Sequence, residues 1–267
     1  MIPRSQITAW RSAGHPWQTD AMVEQDLIIS AMLVTLFRDE ALQRTFLFRG
    51  GTALHKLYLD RPLRYSEDID LVQRQGGPIG SQFDRMRELL KDRFGTPRSK
   101  IGPNVATLSY RFDSEDSPPL PLRVKIEMNT REHMQILPAG NKRLEVRSRW
   151  FDGAADVPTY HPDELLATKL RALYQRRKGR DLFDLGLALR SLPLDSARLC
   201  KVFHGYMKAE GHSVTAAEFR ANLEEKLNHP GFLSDTGPLV RPGTVFDPRE
   251  DCELLDRTLL AILDSAA

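Results

Sequence analysis

The distribution of apolar and polar positions changes character twice along the chain. Leu27, Ile28, Met32, Leu33 and Leu36 recur at helical spacing and predict a helix over residues 20–39, with Asp20 as its N-cap. Phe46-Leu47-Phe48 reads as a short strand closed by Arg49-Gly50-Gly51-Thr52. A helix from Ala53 to Leu59 opens on that glycine turn, and Arg61-Pro62 ends it. Ile69-Asp70-Leu71-Val72 predicts a second strand, and residues 81–94 a second amphipathic helix. From about residue 105 to 151 the period becomes two. Val105-Thr107-Ser109-Arg111 alternates with Ala106-Leu108-Tyr110-Phe112, and Leu122-Val124-Ile126-Met128 with Arg123-Lys125-Glu127-Asn129. Leu144-Val146-Ser148-Trp150 follows, with Glu145, Arg147 and Arg149 between. Short connections predict antiparallel pairing among these strands, and the prolines of 113–121 predict a loop.

After His161-Pro162 the pattern turns helical, with helices expected near 162–177, 180–191, 195–210, 215–227 and 248–264. Thr215 with Glu218 forms a capping-box signature, and the Pro- and Gly-rich stretch 229–248 reads as a loop. The expected plan is α+β: a mixed sheet with flanking helices over residues 1–160, then a helical domain over 161–267.

Composition narrows the class without naming a chemistry. Across 267 residues, 41% are hydrophobic and 28% charged, with 17 Gly and 17 Pro, which excludes collagen-like, coiled-coil and wholly disordered chains. The longest apolar run, Leu27–Phe37, is too short to span a bilayer. No apolar segment follows the charge at the N-terminus, and Cys200 with Cys252 makes neither a disulfide framework nor a zinc cluster. The expectation is a cytoplasmic protein with no membrane partner. A net charge of +2 does not point to nucleic acid, but Lys169–Arg180 carries six basic residues and no acid. Such a local stripe is a candidate anion site.

The sharpest feature is Gly50-Gly51-Thr52 followed by Ser66-Glu67-Asp68-Ile69-Asp70. Free N–H groups at a helix N-terminus, with glycines that let a phosphate approach, make a phosphate cradle. Asp68 and Asp70 alternate on a strand, so both carboxylates point to one face. Paired oxygen ligands of that kind suit Mg²⁺, which takes its remaining ligands from water and substrate phosphate. Lys125 and Glu127 share the face opposite Leu122, Val124, Ile126 and Met128. If that strand lies beside the Asp68–Asp70 strand, Glu127 completes a three-carboxylate site for two metals.

Each part also has a bland reading. Gly-Gly-Thr alone is a turn with a helix cap. Asp-x-Asp alone is a pair of surface charges, and Glu127 alone a carboxylate paired with Lys125. The ordered combination is more specific than any part. Lys169 and Arg176 stand two helical turns apart and can present a cation pair to a triphosphate, or simply a solvated basic face. Asp181 either serves the site or caps the next helix or pairs with Arg177 or Arg180, and Asp184 competes with it as the functional acid. Lys56 and Ser66 flank the cradle and the acids as further candidates for phosphate contact.

The segments Phe-Arg-Gly-Gly-Thr-Ala-Leu-His-Lys (48–56), Arg-Tyr-Ser-Glu-Asp-Ile-Asp-Leu (64–71), Val-Lys-Ile-Glu-Met-Asn (124–129) and Lys-Leu-Arg-Ala-Leu-Tyr-Gln-Arg-Arg-Lys-Gly-Arg-Asp-Leu-Phe-Asp-Leu (169–185) occur in the order of a known family. Through them the chain resembles the AbiEii/AbiGii-type nucleotidyltransferase toxins, a branch of the DNA polymerase β-like nucleotidyltransferase superfamily. The resemblance implies a polymerase β-like mixed sheet followed by a helical half. It implies that Gly50, Gly51 and Thr52 hold the triphosphate, that Asp68 and Asp70 bind metal, and that Glu127 is the third acid, a place where the superfamily often has Asp. It assigns Lys169 and Arg176 to phosphates and Asp181 to a C-terminal motif.

The implied chemistry is template-independent transfer of a nucleotide from an NTP to a hydroxyl, with Mg²⁺ as one ion or two and Mn²⁺ as a substitute. By resemblance the acceptor is RNA, with the 3′ end of tRNA the leading candidate. The basic stripe and Arg143, Arg147 and Arg149 are then expected to touch phosphates. The same resemblance implies a toxin with a cognate antitoxin protein, in a toxin–antitoxin or phage-defence pair. Nucleotidylation of a protein side chain and a catalytically silent NTP- or partner-binding module are the competing readings. A glycosyltransferase using Asp-x-Asp is disfavoured, because the glycine cradle precedes the acids.

Overall fold

The computed structural model describes residues 2–266 and divides into two compact units. One runs up to Gln135 and resumes at Ala139–Tyr160; the other comprises Ile136–Pro138 and the chain from His161 onward.

The first unit is built on a mixed seven-stranded sheet. Its helices are α1 (Arg4–Ser12), α2 (Asp20–Phe37), α3 (Glu40–Thr45), α4 (Gly50–Ala53) and α5 (Gly80–Phe94). Its strands are β1 (Phe46–Arg49), β2 (Asp68–Gln73), β3 (Arg98–Ile101), β4 (Val105–Asp113), β5 (Pro121–Asn129), β6 (Gly140–Arg147) and β7 (Asp152–Thr159), in the order β3-β4-β5-β2-β1-β7-β6. β2 runs antiparallel to β1 and parallel to β5, and β1 runs parallel to β7.

The alternation of the middle strands is realised as burial. Leu122, Val124, Ile126 and Met128 of β5 are buried, and so are Ala106, Leu108 and Tyr110 of β4. α2 packs across β2, β5, β6 and β7, with α1, α3 and α5 against it. Being surrounded, α2 is apolar on nearly every face, and Leu27, Ile29, Leu33 and Val34 are fully buried. Its N-cap is Thr19, which accepts from the Met22 amide, and not Asp20.

Three consecutive polar residues of α2 tie down other segments. Glu24 accepts from the Glu115 amide, the Gln25 amide group donates to the Arg123 carbonyl, and Asp26 accepts from the Trp10 indole.

Two expectations change. β4 and β5 pair antiparallel as the short loop requires, but β6 does not join them. It pairs with β7 at the far edge, because alternation fixes which face a strand buries and leaves its neighbour open. β7 itself, Asp-Gly-Ala-Ala-Asp-Val-Pro-Thr, has almost no strand propensity; it pairs along its length with β6 and meets β1 only at Phe48 opposite Thr159. Further, the helix expected from Ala53 to Leu59 is one α turn, α4, continued as a π turn over Leu54–Tyr58.

The second unit is helical: α6 (Pro162–Gln175), α7 (Gly179–Ser191), α8 (Ser196–Ala209), α9 (Ala216–Leu227), α10 (Pro230–Ser234) and α11 (Pro248–Leu255), the last extended by a π turn over Asp256–Leu260. The Thr215–Glu218 capping box is present. Lys226 of α9 donates to the Leu173 and Tyr174 carbonyls that end α6, and burial pushes its pKa down to about 8. Among the described residues no helix is long and apolar enough to cross a membrane.

Leu33→Ala removes a fully buried side chain from the helix on which the sheet packs. It is expected to lower unfolding free energy by about 2–5 kcal/mol, read from urea denaturation of the purified protein.

Candidate active site

The glycine turn and the acidic strand are joined in three ways. Gly50 has φ +80°, a conformation that favours glycine, and a Cβ built there would fall on the Asp70 carboxylate. Arg49 of β1 stands opposite Asp70 of β2. The buried Thr52 hydroxyl donates to the Asp68 carbonyl oxygen at 2.5 Å and shares a hydrogen bond with the Ser66 hydroxyl at 2.9 Å. The Thr52 side chain therefore fastens the turn to β2.

The parallel pairing of β2 with β5 places Asp70 opposite Glu127 and Asp68 opposite Lys125. All four side chains lie on the sheet face opposite Ile69, Leu71, Ile126 and Met128. Lys125 Nζ sits 3.9 Å from the Asp68 carboxylate and 3.7 Å from that of Glu127. The pairing of Glu127 with Lys125 and its place in an acidic row thus hold together: the ammonium offsets repulsion between carboxylates that the sheet brings side by side. Among the described residues no three of His, Cys, Asp and Glu form a ready-made metal cage. Asp68 and Asp70, partly exposed on one strand, match the one or two carboxylates with which Mg²⁺ is held when substrate phosphates complete its shell.

Lys56 follows the turn but is committed elsewhere. Its ammonium lies 2.7 Å from Asp26 and 2.8 Å from the Ser30 hydroxyl, and its side chain is 9% exposed. Burial would raise the Asp26 pKa, but Lys56 and His15, whose Nδ1 is 3.2 Å away, hold this carboxyl far below its ordinary range. Asp26 escaped the sequence reading; its signal is an acid at the mouth of the longest apolar run. These groups border a cavity of about 200 Å³, also lined by Trp10, Trp17, Thr52, Arg64 and Ser66. Among the described residues the buried Trp17 indole N–H has no hydrogen-bond partner.

In the helical unit, Lys169, Arg176, Asp181 and Asp184 form one network. Lys169 reaches Asp184 at 2.8 Å and Asp181 at 3.2 Å, and both carboxylates are fully buried. Arg176 follows the last turn of α6 in extended conformation, so it does not share a helical face with Lys169. Its guanidinium grips Asp181 with two bonds, of 2.7 and 2.8 Å. Asp181 is neither a cap nor a partner of Arg177 or Arg180. Burial would raise its pKa, but Lys169 and Arg176 outweigh burial and hold it below the usual carboxylate value. The rest of the basic stripe is also neutralised: Arg171 pairs with Glu210, Arg177 with Glu225, and Lys178 and Arg180 with Asp235. At the other edge of the sheet Arg143 pairs with Asp156 and Arg147 with Glu145.

Two outcomes test these assignments. Asp181→Asn removes one of the two carboxylates that hold the buried Lys169 and the only one that grips the half-exposed Arg176 in the network described, and should cost about 1–3 kcal/mol by chemical denaturation. Since the folded pKa of Asp181 is depressed, its contribution is complete above its unfolded pKa and lost as pH falls through the folded one. The gap between parent and variant should therefore be level at neutral pH and shrink below about pH 4. Gly50→Ala should abolish nucleotide transfer while a circular-dichroism spectrum retains the native helix and strand content, because both the clash with Asp70 and the strain of a φ of +80° are local to the turn.

Comparison with known proteins gives the arrangement a family. The profile described as Nucleotidyl transferase AbiEii toxin, Type IV TA system, matches residues 32–247. Among solved structures, the nucleotidyltransferase toxin MenT4 of Mycobacterium tuberculosis H37Rv is similar at 17% identity and a TM-score of 0.65, covering 99% of this chain and 90% of that one. JHP933 from Helicobacter pylori is similar at 15% identity and a TM-score of 0.57, covering 94% of each. At such identities the likeness is one of fold. No curated protein matches the chain in sequence. The profile spans the glycine turn, the Asp68–Asp70 strand, Glu127 and the Lys169–Asp181 network, and the chain therefore belongs to the AbiEii family: it is a nucleotidyltransferase toxin of a type IV toxin–antitoxin system.

Proposed function

We propose that this enzyme transfers a nucleotide from an NTP, with Mg²⁺, to a hydroxyl at the 3′ end of tRNA, and that a cognate antitoxin restrains it. The observation that carries the reading is the row formed by Asp70 and Glu127 on adjacent parallel strands, beside a glycine turn with no room for a Cβ. Asp68 and Asp70 are the residues that would hold the ion. Bound there, Mg²⁺ would supply Lewis-acid polarisation and neutralise phosphate charge; Mn²⁺ has the same ligand preference.

The chain's own groups bind and orient. The turn at Gly50, Gly51 and Thr52 keeps backbone close to the carboxylates, so a triphosphate seated on it lies within reach of Asp68 and Asp70. Glu127 is the carboxylate we assign as third acid or as acceptor of the attacking hydroxyl's proton. Lys125 keeps the acidic row from repelling itself apart. The cavity lined by Trp10, Trp17, Arg64 and Ser66 is smaller than the ~300–1,000 Å³ of typical ligand sites and would take a base or a ribose, not a whole NTP. Lys56 shapes this cavity through Asp26. Lys169, Arg176 and Asp181 are assigned to the rigidity of the helical unit, with Arg176, half-exposed at 52%, still able to meet a phosphate.

The test uses purified protein, Mg²⁺, each α-labelled NTP in turn and total cellular RNA. Label in tRNA-sized RNA with one preferred nucleotide, lost at least about 100-fold in Asp70→Asn, is the expected result. EDTA should abolish it and excess Mg²⁺ restore it. Label in protein bands instead of RNA would replace this reading with protein nucleotidylation. Label in neither would leave a binding module.

A further inference from the structure

Most of the cations expected to meet an acceptor are paired with carboxylates, the exposed Arg149 excepted, yet the sheet presents others that are not. On the face that carries Asp68, Asp70 and Glu127, the register continues outward through β5, β4 and β3. Arg111 of β4 stands directly opposite Arg123 of β5. Arg98 and Lys100 of the edge strand β3 stand opposite Ser109 and Thr107 of β4, which in turn face Lys125 and Glu127. Arg98, Lys100, Arg111 and Arg123 are all exposed, and none has an ion-pair partner among the described residues. Asp113 shares this face of β4 but pairs with neither arginine.

Stability does not account for this arrangement. Like charges directly opposite on paired strands are unfavourable. Cations on a short edge strand can serve to discourage edge-to-edge pairing, which would explain Arg98 and Lys100. It does not explain why Arg111 and Arg123 face each other within the β4–β5 ladder, where each is the other's cross-strand neighbour. What the four share is one open face, one sign of charge and a run of small polar residues, Thr107 and Ser109, leading to the acids. β3 lies three strand spacings from β2, about 14 Å, or about four stacked nucleotides of one strand.

We propose that the open face of β3, β4 and β5 is the track for the acceptor's phosphate backbone, which leads the RNA 3′ end inward past Arg111 and Arg123 to Asp68 and Asp70. This inference rests on the RNA-directed reading above and names the surface that would bind the acceptor. The partner is a single-stranded RNA end, held by its phosphates and not read by its bases, since nothing on this face is arranged as a fork against a base edge.

The test compares the parent with Arg111→Ala/Arg123→Ala and with the charge-keeping Arg111→Lys/Arg123→Lys. Each is assayed for NTP binding without RNA, for RNA binding against salt concentration, and for KM of the RNA acceptor. In the alanine pair, KM for RNA should rise about tenfold, and the slope of log affinity on log salt should fall by about 1.4, at about 0.7 for each phosphate that is no longer neutralised. NTP affinity should stay unchanged, the thermal midpoint should not fall, and the lysine pair should behave as the parent. A nucleoside acceptor, which carries no phosphate for the arginines to hold, should show no difference between parent and variants. If the parent labels RNA while the alanine pair keeps the parental KM and salt slope, the track is wrong and the transferase reading stands. If the parent labels no RNA at all, the transferase reading fails and the track fails with it.

Discussion

The parallel register of β2 against β5 is the constraint on which the candidate chemistry depends. It sets Asp70 opposite Glu127 and Asp68 opposite Lys125 while burying Ile69, Leu71, Ile126 and Met128 on the other side. A slip of one residue would turn the carboxylates into the core and the apolar side chains into solvent, so hydrophobic burial itself holds the acids in place. The buried face is fixed by α2, whose polar residues anchor β5 through Gln25 and the segment after the glycine turn through Asp26 and Lys56. Packing and site geometry are therefore one problem: the helix that makes the core also fixes where the carboxylates stand.

Charge is handled oppositely in the two units. In the helical unit basic residues face acidic ones, and the most buried of them, Lys169, is held between Asp181 and Asp184. Such a network is stringent, since removal of one member strands the others in a poor solvent for ions. On β3, β4 and β5, by contrast, Arg98, Lys100, Arg111 and Arg123 stand exposed with no ion-pair partner among the described residues. A stripe that is conspicuous in sequence is thus paired in space, and cations scattered over three strands stand together on one exposed face.

Much of the candidate site's arrangement is legible in the sequence. Glycines after a strand, two acids alternating on the next strand, and an acid on the polar face of an alternating strand are local patterns, and locality is what a sequence displays. Phases of burial were legible for the same reason: Leu122 to Met128 announce a buried face by period alone. Pairing was less so. Nothing in Leu144–Trp150 says that β6 leaves its sequence neighbours for the far edge, because hydrogen-bond partners are chosen by the whole sheet. β7 was hidden by residues that do not favour strands and form one only against β6. The destination of Arg176 was hidden by where α6 stops: two helical turns from Lys169 holds only while the helix continues, and it ends at Gln175. The ion pairs of Arg171, Arg177, Lys178 and Arg180 reach residues far along the chain, and charge counting over a window cannot see them.

Gly50 carries a genetic implication. Every missense change at a glycine codon adds a side chain, and at this position even the first carbon collides with Asp70. On the proposed reading, a cell under selection to escape the toxin has a codon at which any amino-acid replacement would press a side chain onto the strand that carries Asp68 and Asp70. Lineages that keep the toxin gene in silenced form would be expected to carry their lesion here more often than at the exposed arginines, where single changes weaken an interaction instead of ending a reaction.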